Sequence, residues 1–150
     1  GLNMTDAHEA RVTGRSLPVS TKHVIEISKF IRGRTVEQSK ALLQRVLEFK
    51  PAIPYKKFGA AGHKPGIGSG RYPQKATKEV LKLLNSLEAN AQNKGLDTKT
   101  IYIKTIMPNR GETQPRYGRN RGTAKRTHLT IIAEEKQVPQ KKVKPKEAKK

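Results

Sequence analysis

"KTIYIKTIMPNRGETQPRYGRNRGTAKRTHLTIIAE" occupies residues 99–134, and its reading decides the fold. Both ends alternate in hydropathy. On the way out, Ile101, Ile103, Thr105 and Met107 oppose Tyr102, Lys104 and Ile106. On the way back, Thr127, Leu129, Ile131 and Ala133 oppose His128, Thr130, Ile132 and Glu134. Successive side chains of a strand point to opposite faces, so a period of two predicts a pair of half-buried antiparallel strands. The segment between them has no such period. It carries Arg110, Arg116, Arg119, Arg121, Lys125 and Arg126 against a single acid, Glu112, with three glycines, Pro115 and Tyr117. A hairpin with core-forming strands and a tip of arginine and glycine is a probe. Its tip need not fold alone where surrounding anions neutralise it.

Composition says which anion. The chain has 150 residues and a formal net charge of +20, from 32 Lys+Arg against 12 Asp+Glu. Self-repulsion on that scale gains a free globular protein nothing, and nucleic acid is the commonest polyanionic partner. Hydrophobic residues make up 33% of the chain, enough for one modest core with basic extensions. Cysteine is absent, which excludes disulfides and thiolate metal sites. No apolar run approaches the length of a membrane span, and the N-terminus lacks a signal peptide's apolar stretch, so a cytoplasmic location is expected.

Outward from the hairpin, "ARVTGRSL" at residues 10–17 reads as a further short strand with Gly14 as a bulge or bend. A helix follows Pro18, with Ser20 or Thr21 as N-cap, Val24, Ile27 and Ile31 on one face beside Phe30, and Gly33 as terminator. A second helix restarts at once with a capping box, Thr35 and Gln38. Its face is Leu42, Leu43, Val46 and Leu47, and Pro51 stops it. With so short a joint, the two helices are expected to pack as a hairpin or bent pair. A third helix, "PQKATKEVLKLLNSLEANAQNKG", keeps Ala76, Val80, Leu83, Leu84, Leu87 and Ala91 at helical spacing and ends at Gly95. Residues 50–75 hold four prolines, five glycines and six Lys/Arg with no acid, and read as an extended basic arm ordered by a partner. The tail over 136–150 holds seven lysines and one acid, and reads as solvated or RNA-bound. The expected architecture is a single α+β domain with its core at about 11–135. Three helices pack on a small antiparallel sheet, with a long protruding β-hairpin at 99–134 and basic extensions.

Nothing in the sequence builds an active site. His8, His23, His63 and His128 lack the spacing of a metal cluster, and no pair of acids is placed for proton transfer. A lone histidine more often faces solvent or a phosphate than it catalyses. "GIGSG" at residues 66–70 lacks the Lys-Ser/Thr ending of a phosphate loop, and its glycines serve either turns or close approach to an RNA backbone. The basic stretches are the signal, because arginine forks match phosphate oxygens. Tyr55, Phe58, Tyr72 and Tyr117 are candidates to stack on unpaired bases, although for Phe58 packing within its own arm is favoured. The candidate RNA-contacting residues are Lys22, Lys56, Lys57, His63, Lys64, Arg71, Tyr72, Arg110, Arg116, Tyr117, Arg119, Arg121, Lys125, Arg126 and His128. No cofactor is called for.

The stretches "LPVSTKHVIEISKFIRGRTVEQSKALL", "ATKEVLKLLNSLEANAQNKGLD" (with Leu87, Ala89, Asn90 and Ala91) and "PRYGRNRGTAKRTHLTIIAEE" stand in order along the chain. Together they resemble the first two helices, the third helix, and the hairpin tip with its returning strand of the large-subunit ribosomal protein family L-twenty-two, called L-seventeen in eukaryotes. Thr127 and His128 are adjacent here, where many bacterial members place one more residue between them. The insert at residues 55–74 is similar to that of the archaeal and eukaryotic branch. The resemblance implies a structural ribosomal protein without catalysis, partnered by large-subunit ribosomal RNA and neighbouring large-subunit proteins. It implies a globular part near the mouth of the nascent-peptide exit tunnel and a hairpin lining the tunnel, where the nascent peptide passes its tip. It also implies that Arg116, Arg119, Arg121, Lys125 and Arg126 face RNA. An architectural DNA-binding protein with a basic β-arm is the alternative, weakened by the lack of a basic recognition helix and of apolar wedge residues at the tip. A nucleic-acid enzyme is disfavoured by the missing carboxylate cluster.

Overall fold

The computed structural model of the chain describes residues 8–119 and 121–135; the lysine-rich tail lies outside the described residues. Along the chain run β1 (Glu9–Leu17), α1 (Thr21–Ile31), α2 (Val36–Leu47), β2 (Ile53–Pro54), β3 (His63–Lys64), β4 (Gly68–Arg71), α3 (Gln74–Asn93), β5 (Ile101–Arg110), β6 (Gln114–Pro115), β7 (Thr123–Ala124) and β8 (Thr127–Glu135). The main sheet is antiparallel in the order β1-β8-β5. The returning strand of the quoted stretch is therefore central, and it keeps the expected alternation, with Thr127, Leu129, Ile131 and Ala133 buried. Helix α3 lies on β1, α1 lies on β5, and α2 packs on α3. The arrangement is α+β. Its core joins Ile101, Ile103, Ile106, Leu129 and Ile131 of the sheet to Val24, Ile27, Ile31, Leu84 and Leu87 of the helices.

The outgoing strand departs from strict alternation. Ile101 and Ile103 are buried, but the next buried residue is Ile106, and Met107 is 41% exposed. The register of β5 on β8 shifts between Ile103 and Thr105. A bulge sets two residues against one, so every later side chain changes face. Lys104, at the bulge, turns its ammonium to Glu9 at 2.8 Å and Glu134 at 3.0 Å, and Tyr102 donates to Glu134 at 3.1 Å. The bonds from Glu9 and Glu134 hold the Lys104 pKa above its usual value, and Lys104 in turn holds the Glu134 carboxyl below its own.

Gly14 sits where the register of β1 shifts on β8, as expected of a bulge. Ser20 occupies the N-cap of α1 without a side-chain cap bond. The Thr21 hydroxyl instead lies 2.9 Å from that of Thr127, which donates to the Val19 carbonyl. Thr35 does cap α2, accepting from the Gln38 amide at 3.2 Å. Gly33 ends α1 at φ +77°. The linker after it pairs with β5: the Gly33 amide donates to Ile103 O, and the Ile103 amide to Arg34 O. That pairing is followed by α2 packing on α3, so of the expected hairpin or bent pair the hairpin does not form.

The segment at 50–75 corrects a second expectation. It closes on itself as a small sheet in the order β2-β4-β3, with Ala52, Ile53 and Tyr55 buried. Pro65 and Gly66 (φ +73°) make the turn between β3 and β4, closed by the Ile67 amide on Lys64 O. This is the work of the first glycines in "GIGSG". The anchor is Glu26 of α1, only 1% exposed, whose Oε1 accepts from the amides of Lys57 (2.8 Å) and Phe58 (3.0 Å). An internal carboxylate thus ties this segment to α1.

Candidate nucleic-acid interface

Where β5 ends, its pairing with β8 closes at Arg110 opposite Thr127. The Gly111 amide then donates to Arg126 O at 2.8 Å, and β6 pairs with β7 through Gln114–Ala124 and Pro115–Thr123. The Arg116 amide donates to Gly122 O at 2.7 Å, a further rung on the way to the tip. Gly111 is buried, and a Cβ there would lie 3.0 to 3.1 Å from the Arg126 Cβ and backbone. The two arms can approach this closely only through glycine. Beyond them Arg116, Arg119 and Arg121 are exposed, and Tyr117 is 94% exposed.

The base of the hairpin faces the starts of two helices. A cleft of about 650 Å³ is bordered by Ser20 and His23 of the α1 start, Pro73, Gln74 and Lys75 of the α3 start, and Arg116, Lys125 and Arg126. A neighbouring cleft of about 340 Å³ adds Lys22 and Arg110. Neither α1 nor α3 has an acid in its first turn. Unsatisfied amides and the partial positive charge of each N-terminus thus add to the basic side chains. The chemistry available here is capture of phosphate oxygens.

A third recess, about 380 Å³, opens between α1, the 50–75 segment and Lys125. In it His23 Nδ1 lies 2.5 Å from the hydroxyl of buried Tyr55. Burial, then the positive charges of Arg71 and Lys125, lower the His23 pKa. Burial pushes the Tyr55 hydroxyl up to about 12. Both groups are therefore neutral at pH 7, an uncharged pair inside a cationic rim.

The structure gathers Lys22, Arg71, Arg110, Arg116, Lys125 and Arg126 around these openings. Tyr117, Arg119 and Arg121 lie further out on the tip. Lys56 and Lys57 are exposed on the loop held by Glu26. His63, Lys64 and Tyr72 border none of the three openings: the Lys64 ammonium sits 5.6 Å above the Tyr72 ring, which meets Phe49 edge-on. His128 has a task within the fold, because its Nδ1 accepts from the Ser16 amide, where β1 passes through φ +51°. Tyr55 is buried and is no stacking platform. Sequence pattern did not single out Lys75, His23 or Glu26 as site residues. Glu26 did leave a signal, as the sole acid within a helix whose neighbouring positions are apolar.

Among the described residues, the ion pairs use lysine or His8 as cation, and no arginine takes part in one. No group of residues suited to hold a metal ion occurs among the described residues.

Known proteins are similar to this chain over most of its length. Residues 12–134 match the family model described as Ribosomal protein L22p/L17e. The chain is 43% identical over 112 residues to the large ribosomal subunit protein uL22 of Archaeoglobus fulgidus, a match covering 72% of each. It is 39% identical over 134 residues to the uL22 of Cenarchaeum symbiosum, covering 83% of this chain and 88% of that protein. With the uL22 of Methanopyrus kandleri it shares 37% identity over 147 residues, covering 89% and 91%.

Proposed function

The chain belongs to the ribosomal protein L22p/L17e family, and from that premise we propose that it binds large-subunit ribosomal RNA through the basic clefts and carries its hairpin tip into the wall of the nascent-peptide exit tunnel. As a family member it is a structural, non-enzymatic constituent of the large ribosomal subunit. The finer reading is supported by one observation above the others: no described arginine pairs with an acid, whereas lysines on the helices and the main sheet do. Arginines without an acid partner beside two helix N-termini can meet phosphates, and their work is to neutralise RNA backbones where helices converge. Arg110, Lys125 and Arg126 then hold the hairpin's base, and Arg116, Arg119 and Arg121 meet RNA further along, with Tyr117 among them. Lys22, Lys56, Lys57, His63, Lys64, Arg71, Tyr72 and His128 complete the proposed contact set. Neighbouring large-subunit proteins and the passing nascent peptide are the further proposed partners.

The test is sedimentation of cell extract through gradients at increasing salt. Co-migration with the large subunit that persists at high salt supports an embedded protein. Release at moderate salt, or migration with chromosomal DNA, overturns the reading in favour of a loosely held or DNA-binding arm.

A further inference from the structure

We infer that the recess bounded by Lys22, His23, Tyr55, Phe58, Arg71 and Lys125 seats one unpaired nucleotide of the bound RNA. The inference rests on the RNA-binding reading above and names what this part of the surface recognises. At about 380 Å³ the recess lies within the ~300–1,000 Å³ range of small-molecule sites. A bare phosphate needs only cations. This recess also has features that a phosphate does not use.

The first is an uncharged donor. The Tyr55 hydroxyl is buried, and His23 Nδ1 is its hydrogen-bond partner among the described residues. Whichever of the two groups donates, the neutral pair keeps one uncharged donor to spare, either the Nε2–H of His23 or the hydroxyl of Tyr55. A neutral donor suits a base carbonyl or ring nitrogen. The second is an apolar wall. Phe58 is half-buried, with its ring packed against the core and its amide bonded to Glu26. Lys22 and Lys57 ammonium groups lie 5.6 and 5.7 Å from its centroid. A base settling against the ring displaces a flexible lysine, whose charge then meets the nucleotide's own phosphate. The third is the rim itself: Lys22, Arg71 and Lys125 supply cations from three separate parts of the chain, Arg71 steadied by a bond to the Ala60 carbonyl. Base wall, neutral donor and phosphate-binding rim together fit a nucleotide turned out of its stack.

The experiment titrates the full chain with each of the four nucleoside 5′-monophosphates, and separately with inorganic phosphate, reading the ring resonances of His23 and Phe58 by NMR. At least one monophosphate is expected to shift both rings saturably, while phosphate leaves Phe58 unmoved. Equal shifts with phosphate, or no shift with any monophosphate, overturn the inference. A second arm measures binding to purified large-subunit ribosomal RNA. Phe58→Leu is expected to weaken binding roughly 10-fold, as loss of one stacked base does, and Phe58→Tyr to restore it. If Phe58→Leu binds normally while loss of the hairpin arginines weakens binding, this inference fails and the proposed function stands. If the unaltered chain does not bind the RNA, both fail.

Discussion

At residue 111 a methyl group would be tightly pressed. Its neighbours at 3.0 to 3.1 Å are the Cβ and backbone of Arg126, which cannot swing aside as a side-chain end can. Gly111→Ala must therefore push the two arms of the hairpin apart. The expected cost is about 1–3 kcal/mol, as for other overpacked sites, read as a lower denaturation midpoint with lost protection of the Gly111 and Arg116 amides in hydrogen exchange. Gly14 makes a milder case. A Cβ there would meet Leu83 Cδ1 at 2.8 Å, but that methyl ends a rotatable chain. His23 belongs to the same scale. Its pKa is lowered by burial and by Arg71 and Lys125, so the unfolded chain binds its proton more readily than the folded one. Its contribution to stability is complete above the ordinary value of 6.5 and is lost as pH falls through and below it. The thermal midpoint of the wild type should thus fall more steeply from pH 7 to 5 than that of His23→Gln. Parallel curves would show that His23 titrates alike in both states.

At the scale of elements, one carboxylate decides the state of the 50–75 segment. Glu26 Oε1 takes two backbone amides, while its buried Oε2 has no partner among the described residues. Hydrogen bonds to a charged acceptor contribute about 1.5–3 kcal/mol each, and the unpartnered oxygen offsets part of that. Glu26→Ala is expected to destabilise the fold by about 2 kcal/mol and to expose the Lys56–Lys57 bond to trypsin. Glu26→Gln keeps an accepting oxygen and should resist cleavage far longer. Equal cleavage of the two variants would mean that the charge, and not the acceptor, holds the loop. The sheet edges show similar provision. Asn90 of α3 donates to Arg11 O at 2.9 Å and Lys94 to Glu9 O at 2.8 Å, so side chains occupy carbonyls that an edge strand would otherwise offer to another chain.

At the scale of the whole molecule, a charge of +20 is spread unevenly. Acids pair with lysines on the helices and the main sheet, while the hairpin's arginines stay clear of them. Replacing Arg116, Arg119 and Arg121 together with alanine should leave the thermal midpoint of the free protein unchanged, because all three are exposed. Affinity for large-subunit ribosomal RNA should fall. The slope of log affinity against log salt should flatten by about 0.7–0.9 for each phosphate that an arginine no longer neutralises. A lowered midpoint would show that the tip supports the core. An unchanged slope would remove these arginines from the RNA interface.

Local pattern was enough to determine the three helices, the strands of the main sheet, the alternation over 127–134 and the glycine ends of α1 and α3. Period, backbone freedom and charge density act over a few residues, so they can be read along the chain. Packing decided the rest. The bulge at Lys104 moved the buried face to Ile106, and the Lys104 ammonium is held there by acids from two other strands. Thr21 left its capping role for Thr127, more than a hundred positions away. Glu26 bonded the 50–75 segment to α1, and the His23–Tyr55 pair formed between the same two parts of the chain. Each of these joins residues distant in sequence. A pattern along the chain can show that a charge or ring is available, but only packing shows what it meets.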